Sequence, residues 1–283
     1  MKNCRNCGAP ASQSISLHTF ICDFCNTKNV DEDYFKEIAK STDLGKSNRF
    51  MQLGLNSFTS DEFDDAENHF ENSISENDKN PEAWIYLGLC KAHLITASNF
   101  QKSIKGIKDA LSRADFIDST SETTILGKIT IANSLVIKIK EISDYYFSTA
   151  DKTFNAFGEN EGAAQSSIND LAEGIRKIQE LEQFDVSADV DYSNLLLSGL
   201  IRVTSYDKYS SVMNKLQINI DTILLALLEI YDRNPDAVKL NIGLWNSKAS
   251  ARISKLINEK RPNSQISIIE SKKDKGFFGK LFS

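Results

Sequence analysis

Apolar positions between residues 50 and 111 fall on helical spacings, not on alternating ones. Phe63, Ala66, Phe70 and Ile74 are separated by three, four and four residues, which makes one apolar stripe on an otherwise polar helix. Phe100, Ile104, Ile107 and Leu111 repeat the stripe. Ser60 is the expected N-cap of the first of these helices, with Asp61 and Glu62 favourable at its positive end. Asn80-Pro81 predicts a further helix start, a capping side chain followed by proline at the first helical position. Ahead of each stripe comes a related block: Phe50-x-x-Leu53-Gly54 returns 34 residues later as Trp84-x-x-Leu87-Gly88. A large ring at Phe50 or Trp84 is expected to fill the gap between paired helices. Gly54 and Gly88 lack a Cβ and let the second helix approach, which offsets a helix penalty of about 1 kcal/mol.

The pattern stays helical further on. Ile125, Ile129, Ala132, Val136 and Ile139 fit one helix face, although Ile129, Ile131 and the run 136–139 also suit a strand. No turn residue interrupts the stretch after Gly127, so one long helix, or two, is expected to about Phe157. Ile168, Leu171, Ile175, Ile178 and Leu181 predict a helix to about Phe184, with two more near 190–207 and 211–232. Asn234-Pro235 is read as the cap of a last helix carrying Val238, Leu244, Trp245, Ile253 and Leu256 and fading by Lys260.

The 34-residue return of ring, leucine and glycine, with Ala66 and Phe70 in the second helix, resembles the tetratricopeptide repeat, a helix–turn–helix unit that stacks into a solenoid. The family's tyrosine falls on Ser57 and Lys91 here, and its closing proline on Asp78. The resemblance implies that Met51, Leu55, Phe58, Ile85 and Leu89 line the concave, partner-binding side. All five are apolar, so the lysine and asparagine clamp that some members use on a peptide carboxylate is missing. Either the groove holds an apolar peptide or later helices cover it, and cover is favoured because two repeats alone rarely close a core.

Chemistry enters at the amino end. Cys4-Arg5-Asn6-Cys7 and Cys22-Asp23-Phe24-Cys25 are two CxxC pairs with 14 residues between them. Each pair can turn tightly and present two thiolates, and two such knuckles complete a tetrahedral four-sulfur site. Gly8 permits the sharp turn after the first pair, and Ile15, Leu17, Phe20 and Ile21 are expected to form a short hairpin between the knuckles. The whole resembles a zinc ribbon of the kind that opens many bacterial proteins. Zn2+ is the expected ion; iron fits the same ligands. A closed four-cysteine site keeps no open coordination position, so its expected role is structural. Nothing in the repeat pattern ties this module to the helices, so the two are expected to fold separately. Cys90, between Leu89 and Lys91, reads as a small core residue.

The expected fold is therefore mainly α, with a small ribbon at residues 1–30, a linker at 31–46, two repeat-like hairpins at 47–114 and a helical region at 115–260. A linker and a basic, aromatic tail fill 261–283. Net charge is −6, which offers nucleic acid and anionic membranes no general attraction. Residues 1–46 hold six Lys/Arg and six Asp/Glu, so the ribbon presents no cationic surface for phosphate. A nucleic-acid regulator reading through the ribbon is the alternative that this balance argues against. Met1-Lys2 opens no signal peptide, and the longest apolar run, 218–231, is broken by Asp221; a soluble, cytoplasmic chain is expected.

His18, His69 and His93 lie in no catalytic constellation, and Asp43-Leu44-Gly45-Lys46-Ser47 lacks the upstream glycine of a phosphate loop. The expected class is a non-enzymatic adaptor or scaffold with a protein partner. Phe277, Phe278, Leu281 and Phe282, behind Lys272, Lys273 and Lys275, are expected to join the recognition surface. Protein docking is the first expectation for this tail and weak peripheral membrane contact the second.

Overall fold

The structure is a computed structural model. It describes residues 3–4, 6–10, 13–16, 19–30, 45–157, 160–185, 190–204, 206, 209–215, 220–235 and 247–262. The described residues are mostly helical, with one small antiparallel sheet at the amino end, and divide into two compact units, 1–138 and 139–283. The division falls inside one helix.

The first unit begins with strands β1 (Gln13–Ser16), β2 (Thr19–Ile21) and β3 (Lys28–Val30), ordered β1-β2-β3. The expected hairpin is β1 and β2; β3 adds a strand that three residues of Lys-Asn-Val do not announce. Four helices follow as two hairpins: α1 (Gly45–Thr59) packs on α2 (Phe63–Glu76), and α3 (Pro81–His93) packs on α4 (Phe100–Asp118). Residues 31–44 of the expected linker lie outside the described residues.

The glycines do what close packing requires. A Cβ on Gly54 would stand 2.6 Å from the Phe70 ring, and one on Gly88 would meet Ile131 Cδ1 at 2.9 Å and Ala110 Cβ at 3.7 Å. Ala66, Phe70, Phe100, Ile104 and Ile107 are buried as their stripes predict. Asn80 caps α3 by accepting from the Glu82 N–H at 3.1 Å.

Two local expectations fail. Ser60 is not a cap: Asp61 takes a left-handed turn (φ 62°) and α2 starts only at Phe63. Phe50 and Trp84 do not plug the gap between paired helices. Both are half-buried, and the Trp84 indole N–H donates to the Asp78 carbonyl at 2.9 Å. Instead the first hairpin is locked by Ser47 and Ser73, both buried, whose hydroxyls each donate to the other's carbonyl at 3.0 Å.

Helix α5 runs unbroken from Glu122 to Phe157, as the absence of turn residues predicts. In the first unit its Gly127 closes on Ile85: an added Cβ would lie 2.4 Å from Ile85 Cγ2.

The second unit holds the rest of α5, then α6 (Glu161–Gln179), a 3-10 turn (Glu180–Phe184), α7 (Val190–Thr204), α8 (Ser210–Lys215), α9 (Ile220–Arg233) and α10 (Ser247–Lys260). Phe147 is its wedge. The ring sits where a Cβ on Gly174 (2.6 Å) or Gly199 (2.8 Å) would be, so α6 and α7 can close around it. The helix expected at 211–232 is described as two pieces, α8 and α9. Of the last expected helix, Ile253 is buried and Leu256 half-buried, while Val238, Leu244 and Trp245 lie outside the described residues. Among the described residues no helix is long and apolar enough to cross a membrane.

Candidate metal centre

The two knuckles have the same backbone. After the first, the Gly8 N–H donates to the Cys4 carbonyl (2.8 Å) and the Cys4 N–H to the Ala9 carbonyl (2.8 Å). After the second, the Asn26 N–H donates to the Cys22 carbonyl (2.8 Å) and the Cys22 N–H to the Thr27 carbonyl (3.0 Å). Each turn closes through a left-handed residue, Gly8 (φ 75°) and Asn26 (φ 55°). Glycine and asparagine tolerate that conformation best. Asn26 was legible as the partner of Gly8, because both follow directly on a CxxC pair.

The turns bring Cys4, Cys7, Cys22 and Cys25 together, with all four sulfurs within 4.8 Å of one another. Across the knuckles, Cys4 Sγ lies 3.6 Å from Cys25 Sγ and Cys7 Sγ 3.5 Å from Cys22 Sγ. A disulfide would need about 2.05 Å. A tetrahedral ion with metal–sulfur bonds of about 2.3 Å spaces its sulfurs about 3.8 Å apart. The four cysteines are therefore positioned to bind a metal ion.

The surroundings favour the thiolate at Cys4 and Cys25. The Thr27 hydroxyl, 3.1 Å from Cys25 Sγ, and then the Thr27 backbone N–H lower the Cys25 thiol to about 6. At Cys4 burial acts upward, but the N–H groups of Cys7 and Asn6 outweigh it and the thiol is lowered. The Asn29 side-chain amide, itself buried, donates to Cys4 Sγ at 3.5 Å. Cys7 goes the other way: the Ala9 N–H lowers it, but the adjacent Cys22 and Cys25 thiols prevail and push it up to about 12. Four thiols this close do not all ionise unaided. A metal ion held by all four would remove the conflict by displacing the thiol protons.

The other predicted site residues are placed differently. Met51, Leu55, Phe58, Ile85 and Leu89 are all buried inside the first unit. They are core, not an open groove: the Phe58 ring packs edge-on against Tyr86 and His93, and Gly127 of α5 closes over Ile85. Phe277, Phe278, Leu281 and Phe282 lie outside the described residues. Cys90 is buried, and burial pushes its thiol up, as suits a core residue.

His69 is half-buried and His18 lies outside the described residues. Sequence reasoning missed Thr27 and Asn29, which serve the sulfurs. Their signal is position: polar hydrogen-bonding residues directly after the second knuckle. No protein-family model, curated protein or solved structure matches the chain.

Proposed function

We propose that this chain is a non-enzymatic intracellular adaptor: a structural zinc ribbon joined to helical hairpins of tetratricopeptide type, recognising a protein partner. The observation that carries the reading is the closed set of four sulfurs, all within 4.8 Å of one another. Four protein ligands fill a tetrahedral ion and leave no position for a substrate or an activated water. Tetrahedral four-thiolate ligation suits zinc and iron alike, and zinc is the ion proposed because a closed four-cysteine set is the usual form of a structural zinc site. The repeat reading is supported by the 34-residue spacing of Gly54 and Gly88, each on the first helix of a hairpin and each in close contact with a neighbouring helix.

With the expected groove residues buried, recognition falls to outer surfaces. Ile125 and Ile129, read from the sequence on one face with the buried Ala132, Val136 and Ile139, are exposed instead, as is Ile137 beyond the exposed Asn133. Exposed isoleucines of this kind suit a protein partner. The tail residues Phe277–Phe282 are the other offer.

Two measurements test this. Protein purified from cells should contain about one zinc per chain, and elemental analysis finding iron, or no metal, overturns the zinc centre. A pull-down with the full chain should lose its partner when Phe278 and Phe282 become Ala or when Ile129 and Ile137 become Asp. Retention by both variants removes the proposed surfaces.

A further inference from the structure

The third strand bears on the expectation that ribbon and helices fold separately, because it touches both. Successive residues of a strand face opposite sides. On β3, Asn29 pairs with Phe20 and turns its amide toward Cys4 Sγ, with Phe20 and Asn29 both buried. The residues on either side of it face the other way. Val30 is buried at 4 % exposure, β3 packs against α1, and Lys28 forms an ion pair with Asp61 in the turn between α1 and α2. One three-residue strand thus has a metal face and a hairpin face. Thr27, just before it, fastens the second knuckle at both ends. Its carbonyl accepts from the Cys22 N–H (3.0 Å), and its hydroxyl touches Cys25 Sγ (3.1 Å) and the Asn6 amide (3.1 Å).

We infer that β3 links metal occupancy to the stability of the first helical hairpin, so that the ribbon is a metal-dependent cap on α1 and α2. This rests on the metal reading above. Asn29 is a positioning residue that holds a ligand sulfur; Val30 and Lys28 transmit the order. The Lys28–Asp61 pair is largely solvent-exposed and contributes little by itself, so the buried Val30 carries most of the link. Solenoid ends need a cover over their last apolar surface. Here a strand gives it, and the strand is held in place by thiolates. Linkage is reciprocal: if metal steadies the hairpin, the hairpin raises metal affinity by the same factor.

The test is hydrogen exchange on the full chain, zinc-loaded against chelator-stripped under reducing conditions, with bound zinc measured on the same samples. Stripping should lower protection across residues 45–76 about tenfold, within the usual range of coupling between sites, and leave 161–204 unchanged. The double variant Lys28→Ala/Val30→Ala should still bind zinc but show hairpin protection that no longer responds to it. Asn29→Ala should weaken zinc binding about tenfold. If stripping affects residues 3–30 alone, the link is wrong although the metal reading stands. Loss of protection in 161–204 as well would mean global unfolding and would overturn a local cap. Failure to take up zinc sinks both ideas.

Discussion

The two helical hairpins of the first unit share a 34-residue spacing but not a burial pattern. In the first, α1 and α2 each bury one face: Ser47, Met51, Gly54, Leu55 and Phe58 on α1, and Ala66, Phe70 and Ser73 on α2. In the second, α3 buries Ala83, the whole run Ile85–Cys90, and Ala92. The cause is position. Helix α3 meets the first hairpin through Tyr86, which stacks on Phe70 at 5.2 Å, and meets α5 at Ile85 and Gly88. Enclosed on several sides, it has no polar face to keep. Hairpin one is the first of the described hairpins; its acidic outer face stays in water and another side takes a β-strand. Neighbours, more than the shared spacing, set the composition of each hairpin.

Glycine substitutions give the largest break in this comparison. Leucine at Gly54 or Gly88 should destabilise the unit by about 3 kcal/mol, since either side chain forces packed helices apart. Alanine sharpens the contrast. At Gly54 the new methyl meets the fully buried ring of Phe70, which has nowhere to turn. A cost of about 1–3 kcal/mol is expected there. At Gly88 it meets only the terminal Cδ1 of Ile131, at 2.9 Å, so less of the buried neighbour has to move than at Gly54, and alanine's helix preference of about 1 kcal/mol offsets the crowding. Urea melts of the two alanine variants should differ clearly. Equal midpoints would mean that the rigidity of the neighbour is not what separates the hairpins.

That contrast also explains what was legible. The stripes of α2 and α4 read directly, because each has a polar side against which periodicity stands out. The length of α5 was readable from the absence of breakers. The cysteine centre was readable because spacing alone restricts what four thiols can do. The burial of Met51, Leu55 and Phe58 was only half readable, since it depends on what covers them. The near-unbroken apolar run Ile85–Cys90 was the sign that an enclosed helix lies there. Ser47 and Ser73 were hidden, because serines on a core register look like interruptions of it. Strand β3 was hidden too, since a lysine and an asparagine ahead of one valine give no β signal.

The serine pair is the next effect down. Counting 34 residues on from Ser73 reaches Ile107, which is fully buried, so the second hairpin fills with an apolar side chain the place where the first uses a hydroxyl. Ser47→Ala or Ser73→Ala alone should cost about 1 kcal/mol, because each removes one buried hydroxyl-to-carbonyl bond, while the Ser73 carbonyl keeps the Asn77 N–H. Both together should cost less than the sum of the two. Strict additivity in that double-mutant cycle would show that the hydroxyls do not act as a pair.

The smallest effect lies where the hairpins meet. His93, at the end of α3, stacks on Phe63 of α2 with ring centres 4.2 Å apart and has Phe58 edge-on at 5.6 Å. The first hairpin has Thr59 at the matching position and no ionisable group there. Burial lowers the His93 pKa below its ordinary 6.5; the ammonium groups of Lys138 and Lys28 lower it further, and Asp61 opposes them. The folded protein therefore keeps the imidazole neutral at a pH where the unfolded chain has already taken a proton. Stability contributed this way is fully present above pH 6.5, falls as pH drops through that value, and levels off below the lowered native pKa. Thiolate protonation at the metal centre acts in the same direction, so the informative quantity is a difference between two zinc-loaded proteins. His93→Phe keeps an aromatic ring against Phe63 and removes the titration. Between pH 7.5 and about 5.5 the parent should lose more of its melting temperature than the variant. If both lose the same amount, His93 adds nothing to the acid sensitivity of the hairpin junction, and the pH response belongs to the cysteines alone.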